Sequence, residues 1–207
     1  MNRRWVTRMA IQALALSLLM STGVERAASA AKASENQFGD QDRVTGNMIR
    51  ALNAYAVYKM GQYESAFEQY LELAEEGSRQ GMVNVANMYA QGQGVEKSQE
   101  KAFQWYVRAA ESGDSISMVE VARAYDEGSG TGVDQHEAMR WYRKAAQAGN
   151  NDARWTLGKR LYDEGRRAEG LCLIQAAKEE GQPSAQQFLS ALEQDTRLET
   201  PVSQLQC

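Results

Sequence analysis

Ala102-Phe103-Gln104-Trp105-Tyr106-Val107-Arg108-Ala109-Ala110-Glu111-Ser112-Gly113 is followed, 36 residues later, by Ala138-Met139-Arg140-Trp141-Tyr142-Arg143-Lys144-Ala145-Ala146-Gln147-Ala148-Gly149. The same pattern stands 36 residues earlier as Ala66-Phe67-x2-Tyr70-x2-Leu73-Ala74-x2-Gly77. A fourth copy, 32 residues after the third, reads Gly170-Leu171-x2-Ile174-x2-Ala177 and ends at Gly181. Apolar or small side chains at i, i+1, i+4, i+7 and i+8 share one face of an α-helix, and the closing glycine supplies the left-handed residue that ends it. Self-similarity at such a period marks a stacked array, in which no unit can bury its apolar face alone.

Upstream of these segments lie partner helices: Met82-x2-Val85-Ala86-x2-Tyr89, then Met118-x2-Val121-Ala122-x2-Tyr125, then Ala153-x3-Leu157-Gly158-x2-Leu161. The small residues Ala86, Ala122 and Gly158 let two antiparallel backbones approach closely. Gly92-Gln93-Gly94-Val95 and Gly128-Ser129-Gly130-Thr131-Gly132-Val133 connect first helix to second, and Asp134-x2-Glu137 is a capping box that restarts the helix. The glycine run 128–132 lacks the preceding strand of a phosphate-binding loop and reads as a flexible inter-helix turn.

This arrangement resembles the Sel-one-like repeat (SLR) family, bacterial relatives of the tetratricopeptide repeat. Its pattern is met by Tyr89, Gly92, Gly94, Val95, Ala102, Trp105, Tyr106, Ala109, Ala110 and Gly113, and again by Tyr125, Gly128, Ala138, Trp141, Tyr142, Lys144, Ala145, Ala146 and Gly149. The first and fourth repeats lack the Gly-x-Gly-Val insertion and have ordinary tetratricopeptide loop lengths. The resemblance covers about Asn47 to Leu192 and implies an all-α, right-handed α/α superhelical solenoid of about four helix pairs. Pro183 opens a capping helix from Ser184 to about Glu193, whose Ala185 and Leu189 take the places of Ala153 and Leu157.

Arg3, Arg4 and Arg8 precede an uncharged run from Met9 to Val24, followed by Ala28-Ser29-Ala30, the order of a secretory signal peptide cleaved after Ala30. The run is shorter than the roughly 20 residues a spanning helix needs, so no membrane anchor is expected after cleavage. The chain divides into a signal peptide (1–30), a flexible polar leader (31–46), the repeat domain (47–193) and a tail (194–207). Removal of residues 1–30 takes away four Arg and one Glu from 23 basic and 27 acidic side chains, leaving 19 and 26. This acidic balance disfavours nucleic acid and anionic membrane surfaces as partners.

No catalytic or metal site is expected, and no cofactor. The single histidine, His136, lies in the first turn of a helix with no nucleophile arranged around it. One His and two distant Cys do not make a zinc ligand set. Trp105 and Trp141 stand 36 residues apart and read as repeat packing. Cys172 falls at an outward position of its helix. Its one possible partner within the chain is Cys207; a disulfide between them, a free thiol and an intermolecular bridge are the alternatives.

Such repeats are scaffolds, and the resemblance implies a groove that binds another envelope or periplasmic protein. Exported relatives serve as regulators of sensor proteins, polysaccharide assembly factors or adaptors. The alternative is binding or hydrolysis of β-lactam or peptidoglycan fragments, linked to cysteine-rich relatives with a Cys pair in each repeat, which this chain lacks. Positions that packing does not need form two ladders on the first helices. One is Val83, Val119 and Trp155; the other is Asn87, Arg123 and Lys159, with Tyr55 in the corresponding place of the first repeat. Turning basic toward the C-terminal end, they suit a partner segment with carboxylates beside an apolar anchor. Trp155 is either the contact for that anchor or a residue packed under the capping helix.

Overall fold

The computed structural model describes residues 45–194 and is helical, with no strand among those residues. The signal peptide, nearly all of the leader, and Cys207 with the rest of the tail lie outside the described residues. Helix α1 covers residues 45–59. It is followed by α2 (Tyr63–Glu75), α3 (Arg79–Gln91), α4 (Gln99–Glu111), α5 (Ser115–Glu127), α6 (Gln135–Gln147), α7 (Asn151–Asp163), α8 (Arg167–Glu179) and α9 (Pro183–Gln194). A division of the chain falls between Ile49 and Arg50, and the helix stack belongs to the part from Arg50 on. There each helix packs on the next in sequence, so α3–α4, α5–α6 and α7–α8 are the expected hairpins. None of the described helices is long and apolar enough to cross a membrane.

Successive repeats are joined by a two-residue Gly-x turn, and the 36-residue period, against 32 for the fourth copy, comes from the longer loop inside the pair: seven residues at 92–98 and 128–134, three at 164–166. Gly77 (φ 90°), Gly113 (φ 92°) and Gly149 (φ 88°) end α2, α4 and α6 in the left-handed region that only glycine enters cheaply. The amide of the following residue turns back to the helix: Ser78 N to Leu73 O (2.9 Å), Asp114 N to Ala109 O (3.1 Å) and Asn150 N to Ala145 O (3.0 Å). The same three residues then cap the next helix, accepting from Gly81 N (3.3 Å), Ser117 N (2.7 Å) and Ala153 N (2.9 Å). Such a cap is worth about 1 kcal/mol. One residue pair therefore closes a helix, opens the next and fixes the angle between repeats.

Within the glycine run 128–132, expected to be a flexible turn, Gly130 is packed while Gly132 stands in open space. Gly130 (φ 75°) lies so close to the start of α4 that a Cβ there would sit 2.1 Å from Gln99 O. One repeat earlier a Cβ on Gly94 (φ 69°) would sit 2.2 Å from Tyr63 O, at the start of α2. The long loop of each repeat thus seats on the second helix of the repeat before it. The shorter first and fourth connections place Gly61 and Gly165 in open space. Of the capping box, Asp134 Oδ1 accepts from Glu137 N at 3.0 Å, while the Glu137 carboxylate accepts from Arg140 Nε at 3.0 Å.

The core runs along the stack as three clusters. Ala66, Phe67, Tyr70, Leu73 and Val85 anchor the first; Val121, Trp141, Tyr142, Leu157 and Leu161 the second; Leu171, Ile174, Ala185 and Leu189 the third. Trp141 is buried, and the half-buried Trp105 packs on the first cluster with the Arg108 guanidinium 4.0 Å from its ring centroid. The expected close approach is tightest between α7 and α8, where a Cβ on Gly170 would lie 2.5 Å from Gly158 O. Helix α9 covers the third cluster with Ala185 and Leu189, as a terminal cap must.

Candidate functional site: a groove in register with the repeat

Three cavities lie along the stack. The first, about 150 Å³, is lined by α1, α2, α3 and the following loop, with Tyr70, Asn84, Asn87, Gln91 and Gln93 among its residues. In the second, about 270 Å³, the residues 36 positions on recur: Tyr106, Glu120, Arg123, Glu127 and Ser129. The third, about 340 Å³, repeats part of the second one step further, with Ala90, Gln99, Ala124 and Glu127 replaced by Asp126, Gln135, Arg160 and Asp163. The repeat geometry thus makes one groove site twice, at six shared register positions, with a third cavity overlapping that register in part, and side chains at fixed register differentiate them.

Tyrosines of the second helices underlie this groove. The Tyr106 hydroxyl donates to Asn87 Oδ1 at 2.6 Å, joining α4 to α3. The Tyr142 ring lies beneath the Arg160 guanidinium, 5.0 Å from its centroid. Burial, reinforced by Glu120 beside Tyr106 and Asp126 beside Tyr142, pushes both phenols up to about 12. They are hydrogen-bond donors at any physiological pH, not bases. Arg160 makes a two-pronged pair with Asp126, Nη1 to Oδ1 at 2.9 Å and Nη2 to Oδ2, and reaches Gln135 Oε1 at 3.3 Å. This bond network ties α7 to α5 and α6 and is partly shielded from water, where a paired guanidinium is far better than a lone one.

The structure brings together some of the expected partner-binding residues and separates others. Tyr55 and Asn87 line the first cavity, and Arg123 lines the second. Arg123 pairs with Glu120 at 3.3 Å and Lys159 Nζ with Asp163 Oδ1 at 2.6 Å, so the cationic ladder carries its own carboxylates and the groove is of mixed sign. Val119 is a correction: it is only 8% exposed and belongs to the second core cluster with Trp141, Ala153 and Leu157. In a stack, a face left free within one helix pair is taken by the next pair. Val83 is likewise half-buried against the first cluster. Trp155 packs edge-to-face on Phe188 of α9 (5.7 Å between centroids), which places it under the capping helix.

Tyr106, Asp126 and Arg160 are groove residues that the sequence reading assigned to packing or passed over, and Tyr142 lies buried beneath Arg160. Their signal was the 36-residue register of Tyr70, Tyr106 and Tyr142, which the packing motif also explains. His136 is exposed, and the described residues hold no cluster of three metal-ligating side chains. Cys172 is half-buried on α8, and its expected partner Cys207 lies outside the described residues.

Comparison with known proteins agrees with this geometry. Residues 79–114 and 115–150, which are α3–α4 and α5–α6 with their joints, each match the Sel1 repeat. The fold is similar to that of a Sel1 repeat protein from Oxalobacter formigenes, with 29% identity and a TM-score of 0.64 over 70% of this chain and 61% of that one. It is also similar to a protective antigen of uropathogenic Escherichia coli that displays an SLR fold, with 25% identity and a TM-score of 0.62 over 70% of this chain and 33% of that one. The matched region thus spans about three fifths of the first protein and one third of the second. No curated protein matches the sequence.

Proposed function

For a chain whose α3–α4 and α5–α6 are Sel1 repeats, we propose the role of a periplasmic interaction module that holds a segment of another envelope protein in the groove along α3, α5 and α7. Repeats of this fold mediate protein–protein interaction. The observation that carries the reading is the recurrence of the groove site at one register in the first two cavities, continued in part by the third, lined by side chains whose polar groups are already oriented by one another. A surface built in equal steps suits an extended or helical partner, and preorganised polar groups lower the entropy lost on binding. The same pairing favours a binding role over a catalytic one: Arg123, Lys159 and Arg160 are each matched to a carboxylate instead of being arranged around a nucleophile. Placement in the periplasm rests on the signal-peptide order of residues 1–30.

A photo-crosslinking amino acid tests both parts. It is placed in the groove at Gln91 or Arg123, and on exposed second-helix positions at Glu111 or Arg140, in the chain with its own N-terminus. Adducts to a discrete protein are expected from the groove positions, in periplasmic material whose chain begins at Ala31. Adducts of equal yield from Glu111 and Arg140 would refute the groove. Recovery only in the cytosol with residues 1–30 intact would refute the location.

A further inference from the structure

The first cavity differs from the other two in chemistry. All of its lining side chains are uncharged, whereas Asn84, Asn87 and Gln91 are replaced 36 residues on by Glu120, Arg123 and Glu127. None of the lining side chains supplies a counter-charge to a charged group entering it, the adjacent Lys59 ammonium lying 6.0 Å from the Tyr55 ring centroid, so desolvating such a group there is costly. Two of its amides have their oxygens engaged: Asn87 Oδ1 accepts from Tyr106 and Gln93 Oε1 accepts from Tyr58, at 2.8 Å in the second case. An amide whose oxygen is taken offers its NH2 group, so these residues are poised as donors and call for uncharged acceptors.

Beside the donors stand aromatic faces. The Tyr55 ring is 53% exposed, and Tyr58 is held edge-on to Tyr63 with ring centroids 5.1 Å apart. Leu52 and Met60 extend the exposed apolar surface of the same end. Carbonyl groups of a helix or sheet are consumed by their own ladders. A polyproline II segment has no internal hydrogen bonds, so its carbonyls are free for donors while its prolyl rings pack between aromatic side chains.

Resting on the groove reading above, we infer that the first cavity takes an uncharged proline-rich segment of the partner in polyproline II conformation. Its prolyl rings lie against Tyr55 and Tyr58, and its carbonyls accept from Asn87 Nδ2 and Gln93 Nε2. The stiffness of such a segment reduces the ordering cost of binding it.

The test is calorimetric titration of the full chain with decaproline, acetylated and amidated at its ends, beside a capped Gly-Ser decapeptide and chitotriose. Decaproline is expected to saturate one site, with the Gly-Ser peptide roughly tenfold weaker or more, and with Tyr55→Ala weakening decaproline by about tenfold. Tyr55 is exposed enough that its replacement leaves the helical circular dichroism unchanged. No decaproline binding, equal binding of the Gly-Ser peptide, or binding indifferent to Tyr55→Ala would overturn the inference. Binding of chitotriose in place of decaproline would also overturn it, in favour of a saccharide site. Crosslinking at Arg123 is read separately, so the groove can stand where the proline assignment fails.

Discussion

Replacing Gly130 by alanine probes the seam between repeats directly. The residue has φ 75°, and an ideal Cβ would lie 2.1 Å from Gln99 O, 2.5 Å from Gln99 C and 2.9 Å from Glu100 N. All three are backbone atoms of the start of α4 and cannot rotate away. Holding alanine in the left-handed region costs about 1–2 kcal/mol. Relieving the overlap requires the loop to lift from α4, comparable to overpacking a tight site at about 1–3 kcal/mol. The lower entropy of the unfolded alanine chain offsets about 0.4–1 kcal/mol. The net loss is about 1–5 kcal/mol, which lowers the melting temperature by roughly 2–18 °C for a chain of this size. Gly132 is the control: it has no heavy atom within 4 Å of its Cβ position, so Gly132→Ala is expected to change stability by less than about 0.5 kcal/mol. Thermal unfolding followed at 222 nm compares the two. Melting of Gly130→Ala within about 1 °C of Gly132→Ala would show that the loop does not bear on the preceding repeat.

Two further outcomes follow from buried polar groups. Ser117 is fully buried, and its hydroxyl has no hydrogen-bond partner among the described residues; Gly81 and Ala153 hold the equivalent places. Ser117→Ala should therefore stabilise the chain by about 1 kcal/mol in a urea titration, and a destabilised variant would mean the hydroxyl is satisfied in solution. Tyr106 and Tyr142 have their phenols raised by burial to about 12, so the folded state keeps protons that the unfolded chain releases from about pH 10. Their contribution is fully present below pH 10 and is lost as pH rises from about 10 to 12, so urea midpoints should fall across that window. Spectrophotometric titration at 295 nm should show Tyr106 and Tyr142, together with Tyr70, whose phenol burial also raises, ionising after the others of the nine tyrosines, and simultaneous ionisation of all nine in the folded protein would contradict their burial.

Residues 66–181 alone specified the helix pairs, their 36-residue step and the cap at Asp134, because these depend on local chemistry. Apolar periodicity sets which face is buried, glycine ends a helix, and Asp134 starts the next, while the caps at Ser78, Asp114 and Asn150 emerged from the structure. The capping role of α9 was legible for the same reason, since Ala185 and Leu189 repeat a pattern already seen. The match of residues 79–150 to Sel1 repeats agrees with that reading.

Contacts between non-adjacent segments were decided only in three dimensions. Val119 looked free because a single helix pair leaves it free, and the next pair covers it. The carboxylates beside Arg123 and Lys159 are same-helix neighbours, Glu120 at i,i+3 and Asp163 at i,i+4, and follow from the sequence spacing, whereas the pairing of Arg160 with Asp126 across 34 residues of chain does not. Gly130 looked like a flexible link because sequence does not record which backbone lies beneath it. The groove follows the same division: the register of Tyr70, Tyr106 and Tyr142 is a property of the sequence. Which faces remain open, and with what charge, is settled by stacking, because burial and pairing depend on neighbours a helical turn in space and a whole repeat away in sequence.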